Sequence, residues 1–115
     1  MISYQIFIIL ESNINLIIGK LGLFNFPKGL YIYTGSSKKN INQRIARHCR
    51  SKEKLFWHID YFLENKNTNI IKIKKSSINE CVLNKKLYGK TIVPGFGSSD
   101  CNNKCKSHLK FFLRS

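Results

Sequence analysis

Carboxylates are scarce in this chain, and their number limits the metal chemistry that it can support. A mechanism with two metal ions requires several converging carboxylates, whereas a single hard cation can complete its coordination with water. Because the acidic residues are few and scattered, a site with two metal ions is improbable, whereas a site with a single ion remains possible to build. The six are Glu11, Glu53, Asp60, Glu64, Glu80 and Asp100.

Glu80 occupies a sheltered position within one predicted element. Residues 77–88 have the spacing of a helix, and Gly89 is placed to end it at a C-terminal cap. On a helical wheel Glu80 falls roughly 20° from Leu87, at the margin of an apolar face. We therefore expect its carboxylate to be half sheltered. The apolar face consists of Ile78, Val82, Leu83 and Leu87.

An arginine and a histidine lie one turn apart on a second predicted helix, which covers residues 40–50. Arg44 and His48 lie off the apolar stripe of that helix and are expected to project side by side. The stripe consists of Ile41, Ile45 and Cys49.

Cysteines and a histidine near the carboxyl end suggest a different chemistry. Cys101, Cys105 and His108 could supply three zinc ligands, but three residues separate the cysteines where most zinc ribbons have two. A fourth ligand would have to come from Cys81, Asp100 or a distant histidine. We favour reduced cysteines in a loop that lines a site over a zinc centre.

The same stretch, residues 94–106, is rich in Gly, Ser and Asn and is predicted to be a loop. Its backbone N–H groups could bind a phosphate, or the segment could be only a surface turn. The residues that favour phosphate binding are Gly95, Gly97, Ser98 and Ser99.

Positive charge dominates the composition: twenty Lys and Arg stand against six Asp and Glu, a formal net charge of +14. An amino-acid composition that is generally enriched in Lys, Asn and Ile would explain the many lysines, but it explains the small number of Asp and Glu residues less well. Such a charge suits a polyanion, because each neutralised phosphate releases a counterion. We expect nucleic acid, with DNA favoured, as the partner. No long basic amphipathic helix or bilayer-spanning stretch indicates a membrane.

The 115 residues have the length of one domain, which we place at residues 1–115. The start of the chain has the pattern of a strand and not that of a secretory signal, so a cytoplasmic protein is expected. Residues 11–13 are predicted to form a hairpin turn between the first two strands. The predicted strands cover 4–10, 14–18, 30–34 and 70–73, the predicted helices 40–50, 54–64 and 77–88, and an apolar segment ends the chain at 109–113.

Together these features resemble the GIY-YIG nuclease signature. Residues 33–37 (Tyr-Thr-Gly-Ser-Ser) match its second motif, Arg44 follows nine residues after the glycine, and His48 lies one turn later. Glu80 stands where that superfamily keeps a metal-binding glutamate. The chain is similar, more narrowly, to a small archaeal and bacterial branch that is sometimes fused to endonuclease III. The segments that carry this similarity are 57–61, 80–81, 95–101 and 107–109.

The first motif of the signature is matched less closely. Residues 29–31 imitate it, but they lie in the same strand as Tyr33, whereas the superfamily places its two motifs on neighbouring antiparallel strands. Residues 3–5 are the better counterpart, which makes Tyr4 the first-motif tyrosine. Ser3 then replaces the usual glycine, and Thr34 replaces isoleucine or valine in the second motif.

The resemblance implies an α/β protein of the α+β kind, with a small central antiparallel sheet flanked by helices. It also implies that Glu80 binds one Mg²⁺ or Mn²⁺ and that Arg44 binds the non-bridging oxygens of the scissile phosphate. Without the motif, a surface carboxylate and a solvated helix arginine would be the default interpretations.

The resemblance also implies roles in proton transfer for several residues. Tyr4 would accept a proton from the attacking water, which requires positive charge nearby, and Tyr33 would orient water or phosphate. His48 is a second candidate base. His58 could reach the same cleft or could cap or pack a helix, and strand tyrosines such as Tyr31 are usually packed at a sheet edge.

Three functions remain open from the sequence. The first is a metal-dependent DNA endonuclease, with a repair enzyme as an expected partner. The second is a nucleic-acid-binding module on the same fold that does not cleave. The third is a redox- or zinc-responsive protein built on the loop that contains Cys101, Cys105 and His108.

Overall fold

The computed structural model describes residues 2–37, 39–51, 54–55, 57–97 and 107–112. These residues form an α+β fold of two antiparallel sheets and three α-helices. The strands are β1 (Ser3–Leu10), β2 (Ile14–Ile17), β3 (Leu23–Phe26), β4 (Gly29–Ser36), β5 (Thr68–Ser76), β6 (Lys90–Thr91) and β7 (Leu109–Phe112). The helices are α1 (Ile41–Cys49), α2 (His58–Leu63) and α3 (Glu80–Lys85).

The larger sheet has five strands in the order β5-β1-β4-β7-β6, and every neighbouring pair is antiparallel. Strand β1 lies inside this sheet, which fits its sequence because it is apolar nearly throughout. Its alternate residues Tyr4, Ile6, Ile8 and Leu10 are buried in the main core. The predicted fold class, a small central antiparallel sheet with helices, is confirmed.

The predicted hairpin turn at residues 11–13 is wrong. Strand β2 does not pair with β1; it pairs with β3, a strand that the sequence pattern did not reveal, in a separate two-stranded sheet. Both edges of β1 are already hydrogen-bonded, one to β4 and one to β5, so no edge remains for β2.

Aromatic residues from three elements fill the core beneath β4. The Phe62 ring lies 5.1 Å from that of Phe26 and 4.9 Å from that of Tyr31, measured between centroids. The hydroxyl of Tyr31 donates to the carbonyl of Pro27 at 2.6 Å, which satisfies its one polar group. Tyr31 therefore has the expected packing role, but the expected edge position is wrong because β4 is an interior strand.

Helix α1 agrees with the predicted helix at 40–50, but a different face is buried. Cys49, predicted to lie on the apolar stripe, is exposed, whereas His48 is the buried residue of the helix. Ile41 and Ile45 pack against the core as expected. The helix is therefore turned so that its histidine faces the sheet.

Helix α2 begins later than predicted, at His58, because the preceding Trp57 has an extended backbone. The carboxylate of Asp60 accepts the backbone N–H of Trp57 at 2.9 Å, in the manner of a capping box, and this contact fixes the start of the helix. Residues 54–55 lie outside the helix.

Helix α3 is only six residues long, so the predicted span of 77–88 and the predicted cap at Gly89 are both wrong. The Asn79 side chain accepts the backbone N–H of Cys81 at 2.9 Å and starts the helix there. Ile78 and Val82, predicted to be apolar-face residues, are 38% and 50% exposed. In the described ranges no helix has both the length and the apolar character needed to cross a bilayer.

Candidate functional site

Strand pairing brings the two motif tyrosines together at one end of the sheet. Tyr4 of β1 is paired with Gly35 of β4, two positions further along β4 than Tyr33, and the two rings are 6.5 Å apart. A Cβ atom at Gly35 would come within 2.6 Å of the Tyr4 hydroxyl oxygen. Only glycine therefore lets the Tyr4 ring lie across β4 at this point.

Helix α1 places His48 against the first tyrosine. The hydroxyl oxygen of Tyr4 is 2.8 Å from Nε2 of His48, whose side chain is buried. The ring of Tyr33 packs edge-on against the same imidazole at 5.9 Å between centroids. His48 also lines an open groove of about 560 Å³ that reaches Leu63 and Asn65, and neither Tyr4 nor Tyr33 lines this groove.

Burial keeps both phenols protonated. It raises the pKa of Tyr4 well above its ordinary value of 10.0, and the positive charge of Arg44 opposes this only in part. Burial raises the pKa of Tyr33 as well, and the neighbouring Tyr4 and Glu80 add to the effect. The arginine predicted to help Tyr4 lose its proton is thus present, but its charge does not overcome the loss of solvent.

Arg44 and Glu80, which are 36 positions apart in the sequence, meet at Ser36. The Arg44 guanidinium donates to the backbone carbonyl of Ser36 at 2.5 Å. The hydroxyl of the same serine donates to Oε1 of Glu80 at 2.8 Å. A guanidinium and a carboxylate therefore share one residue at the end of β4, next to the Tyr4–His48 pair.

The Glu80 carboxylate is held in its ionised form. Burial acts to raise its pKa, but hydrogen bonds from His108 and Ser36 and the charge of Arg44 outweigh burial and bring the pKa below its ordinary value of 4.5. Nδ1 of His108 lies 3.3 Å from Oε2 of Glu80 and 3.2 Å from the carbonyl oxygen of Thr34. The side chain of Glu80 is 29% exposed, which confirms the half-sheltered position predicted for it.

This donor set fits a single hard cation. Mg²⁺ prefers oxygen ligands and commonly keeps several waters when one or two carboxylates bind it. Glu80 supplies one ionised, partly exposed carboxylate at the mouth of the cluster. Within the described residues there is no group of three or more His, Cys, Asp or Glu side chains that could bind a metal.

His108 contacts a cysteine as well as the glutamate, since its Nε2 lies 3.9 Å from the sulfur of Cys81. The two residues that would complete a zinc site, Cys101 and Cys105, lie outside the described residues. The zinc alternative therefore stays a prediction. Among the described residues, His108 is placed to orient the Glu80 carboxylate.

His58 contacts the loop and not the tyrosines. Its Nδ1 accepts the backbone N–H of Gly97 at 2.8 Å, and its ring lies 5.7 Å from that of the buried Phe96. The Gly97 amide, predicted as a phosphate donor, is thus already occupied. Of the other candidates in this loop, Gly95 lies within the described residues, and Ser98 and Ser99 lie outside them.

The His58–Gly97 contact predicts a dependence of stability on pH. Burial lowers the pKa of His58 below its ordinary value of 6.5, and only the neutral ring can accept the Gly97 N–H. The unfolded chain therefore binds this proton more readily, and the stabilisation is complete above pH 6.5 and is lost as the pH falls through the lowered pKa. We expect the urea midpoint of the wild type to fall between pH 7 and pH 5 by more than that of His58→Gln. If the urea midpoints of the two proteins fall equally between pH 7 and pH 5, this assignment is contradicted.

Three residues that frame the site were not predicted to do so. Ser36 links Arg44 to Glu80. In the sequence it was noted only as part of the second motif, with no role assigned to it. Trp57 and Asp60 form the start of α2 beside α1. Asp60 supplies the acidic half of a capping box, but Trp57 is not the Ser or Thr of that pattern, so the sequence carried no complete signal for this contact.

The fold and the cluster define a class of protein, a small α+β domain with an arginine, a carboxylate and a tyrosine–histidine pair at one end of its sheet. The chain matches the model of the family described as "Domain of unknown function DUF123" over residues 3–115 and belongs to that family. No curated protein and no solved structure matches the chain significantly.

Proposed function

We propose that this protein is a divalent-metal-dependent endonuclease of the GIY-YIG type that hydrolyses phosphodiester bonds of DNA. The observation that carries the proposal is the meeting of Arg44 and Glu80 at Ser36, beside the pair formed by Tyr4 and His48. Hydrolysis of a phosphodiester needs charge stabilisation on the phosphoryl oxygens and a group that takes a proton from water, and both kinds of group are present.

In this proposal Arg44 binds the non-bridging oxygens of the scissile phosphate. Its contact to Ser36 uses a single N–H donor, and a guanidinium has five, so donors remain for a phosphate. Glu80 would hold one Mg²⁺ or Mn²⁺, which supplies positive charge to the phosphate when it is bound. His108 keeps the carboxylate in place from the inner side of the site.

The proton of the attacking water would pass through Tyr4 to His48. Because burial raises the pKa of Tyr4, its phenol is unlike a preformed phenolate base. It can still accept the proton of water if it passes its own proton to Nε2 of His48 at the same time, across the 2.8 Å contact. A neutral imidazole can accept that proton at a ring nitrogen.

A plasmid-nicking assay tests the proposal. Supercoiled DNA is incubated with wild type, Arg44→Lys and the matched control Arg50→Lys, in Mg²⁺, in Mn²⁺ and in EDTA. We expect metal-dependent nicking that Arg44→Lys lowers about a hundredfold, because an ammonium cannot reproduce the planar fork, and that Arg50→Lys leaves unchanged. Equal nicking by wild type and Arg44→Lys would indicate a contaminating nuclease and would remove the support for this proposal.

A second candidate is a DNA-binding module on the same fold that does not cleave. It is favoured by one observation: both tyrosines are buried and have raised pKa values, so neither is ionised to act as a base on its own. Absence of nicking in every metal, with DNA binding that weakens steeply as salt is raised, would favour this function. A role in DNA repair, alongside a repair enzyme, belongs to either proposal.

A further inference from the structure

Trp57 is placed against the guanidinium groups of two arginines of α1. The guanidinium carbon of Arg44 lies 4.8 Å from the centroid of the indole, and that of Arg47 lies 4.4 Å from it. Both distances are within the range of about 6 Å over which a cation is attracted to an aromatic face. The ring of His48 is also close, at 5.5 Å between centroids. One indole therefore contacts three polar residues of the same helix.

The backbone of Trp57 is fixed by a buried carboxylate. Asp60 is fully buried, and its two oxygens accept from the two terminal nitrogens of Arg47 at 2.8 and 2.9 Å. The same carboxylate accepts the backbone N–H of Trp57 at 2.9 Å. One side chain therefore holds both the Trp57 backbone and the Arg47 guanidinium, and this brings the indole against α1.

We propose that Trp57 is a positioning residue, whose indole holds the Arg44 guanidinium in the orientation that binds a phosphate. The proposal rests on the phosphate-binding role given above to Arg44. An arginine side chain has several rotatable bonds, so a free one would lose much conformational freedom on binding. Attraction to an indole requires no hydrogen-bond acceptor, so the N–H donors of Arg44 stay available for Ser36 and for a phosphate. The indole thus restricts Arg44 before the ligand arrives.

A role confined to packing predicts a different result from a positioning role. If Trp57 only fills space, replacing it lowers stability but leaves the contribution of Arg44 to binding intact. If Trp57 positions Arg44, removing the indole removes most of what Arg44 contributes, so the effects of the two substitutions overlap. A double-mutant cycle measures this overlap directly.

The test is binding of a fluorescein-labelled DNA duplex, measured by anisotropy in EDTA so that no cleavage occurs. The proteins are wild type, Trp57→Leu, Trp57→Phe, Arg44→Ala, the double variant Trp57→Leu/Arg44→Ala, and Tyr61→Leu in α2 as a control. We expect Trp57→Leu to weaken binding about tenfold and Trp57→Phe, which keeps an aromatic face, about threefold. The double variant should bind no more than about twofold more weakly than Arg44→Ala alone.

Urea unfolding identifies which variants are folded. If Trp57→Leu does not fold, the cycle is completed with Trp57→Phe, for which the same overlap with Arg44→Ala is expected. Losses that multiply in the double variant, or a loss in Tyr61→Leu as large as that in Trp57→Leu, would overturn the assignment. Overlapping losses in a protein that never nicks DNA would keep this assignment and remove the nuclease. DNA nicking together with losses of affinity that multiply would keep the nuclease and remove the positioning role of Trp57.

Discussion

Glu80→Gln should abolish metal-dependent nicking, with a loss on the order of a thousandfold, because the proposed site has one carboxylate to hold its cation. The amide has nearly the size of the carboxylate, and its oxygen can still accept from the Ser36 hydroxyl. The fold should therefore be retained while the negative charge is lost. Nicking rates in Mn²⁺ together with calorimetric titration of Mn²⁺ measure the two effects separately.

DNA affinity in the absence of metal gives an independent check on Glu80. Removing a negative charge next to Arg44 should leave DNA binding unchanged or make it tighter, since the neighbouring carboxylate repels phosphate. The matched control is Glu11→Gln, which removes the same charge from an exposed residue that accepts a hydrogen bond from Asn69. A Glu80→Gln protein that nicks at the wild-type rate, or that still binds Mn²⁺ as wild type does, would exclude Glu80 as the metal ligand.

Local sequence patterns predicted the elements that carry the site better than they predicted how those elements meet. The spacing of Arg44 and His48 fixed their relation on α1, because residues four apart on a helix are neighbours. The resemblance placed Tyr4 and Tyr33 on adjacent antiparallel strands, and β1 and β4 are paired in that way. Whether these residues perform the predicted chemistry stays a prediction.

Strand pairing lay beyond the reach of the local pattern. The apolar alternation of β2 is the same whether its partner is β1 or β3, so the pattern predicted a strand but not its neighbour. The outcome depends on β5, which follows far along the chain and occupies the second edge of β1. The sequence of residues 11–13 therefore does not reveal which strands compete for the edges of β1.

Helix α3 shows why apolar spacing alone overestimates a helix. Ile78 and Leu87 fit the helical period, but the cap formed by Asn79 starts the helix after the first of them, and the C-terminal cap at Lys86 ends it before the second. The burial of Asn84, whose amide donates to the carbonyl of Ser107 at 2.8 Å, also follows from tertiary contact and not from hydropathy. Capping signals were the better guide to these bounds.

Asp60→Asn should destabilise the protein by roughly 3 kcal/mol, because it breaks a buried ion pair by removing one charge. Asp60 is fully buried, and its carboxylate accepts both from Arg47 and from the Trp57 backbone. An asparagine of the same size offers one oxygen for these donors and turns its own N–H groups towards the guanidinium. Urea unfolding should show a lower midpoint with an unchanged slope, whereas Glu11→Gln should unfold like the wild type.

Replacing both partners of the pair separates the charge effect from simple loss of packing. The double variant Asp60→Leu/Arg47→Met removes both charges, so we expect it to be more stable than Asp60→Asn, since no unpaired charge is left. A double variant at least as unstable as Asp60→Asn would show that packing around Asp60 and its hydrogen bond from the Trp57 backbone, and not its pairing with Arg47, hold α2 against α1. Asp60→Asn should also weaken DNA binding, because the carboxylate that fixes the Trp57 backbone is the same one that pairs with Arg47. A single buried carboxylate would then connect the stability of the fold to the orientation of Arg44.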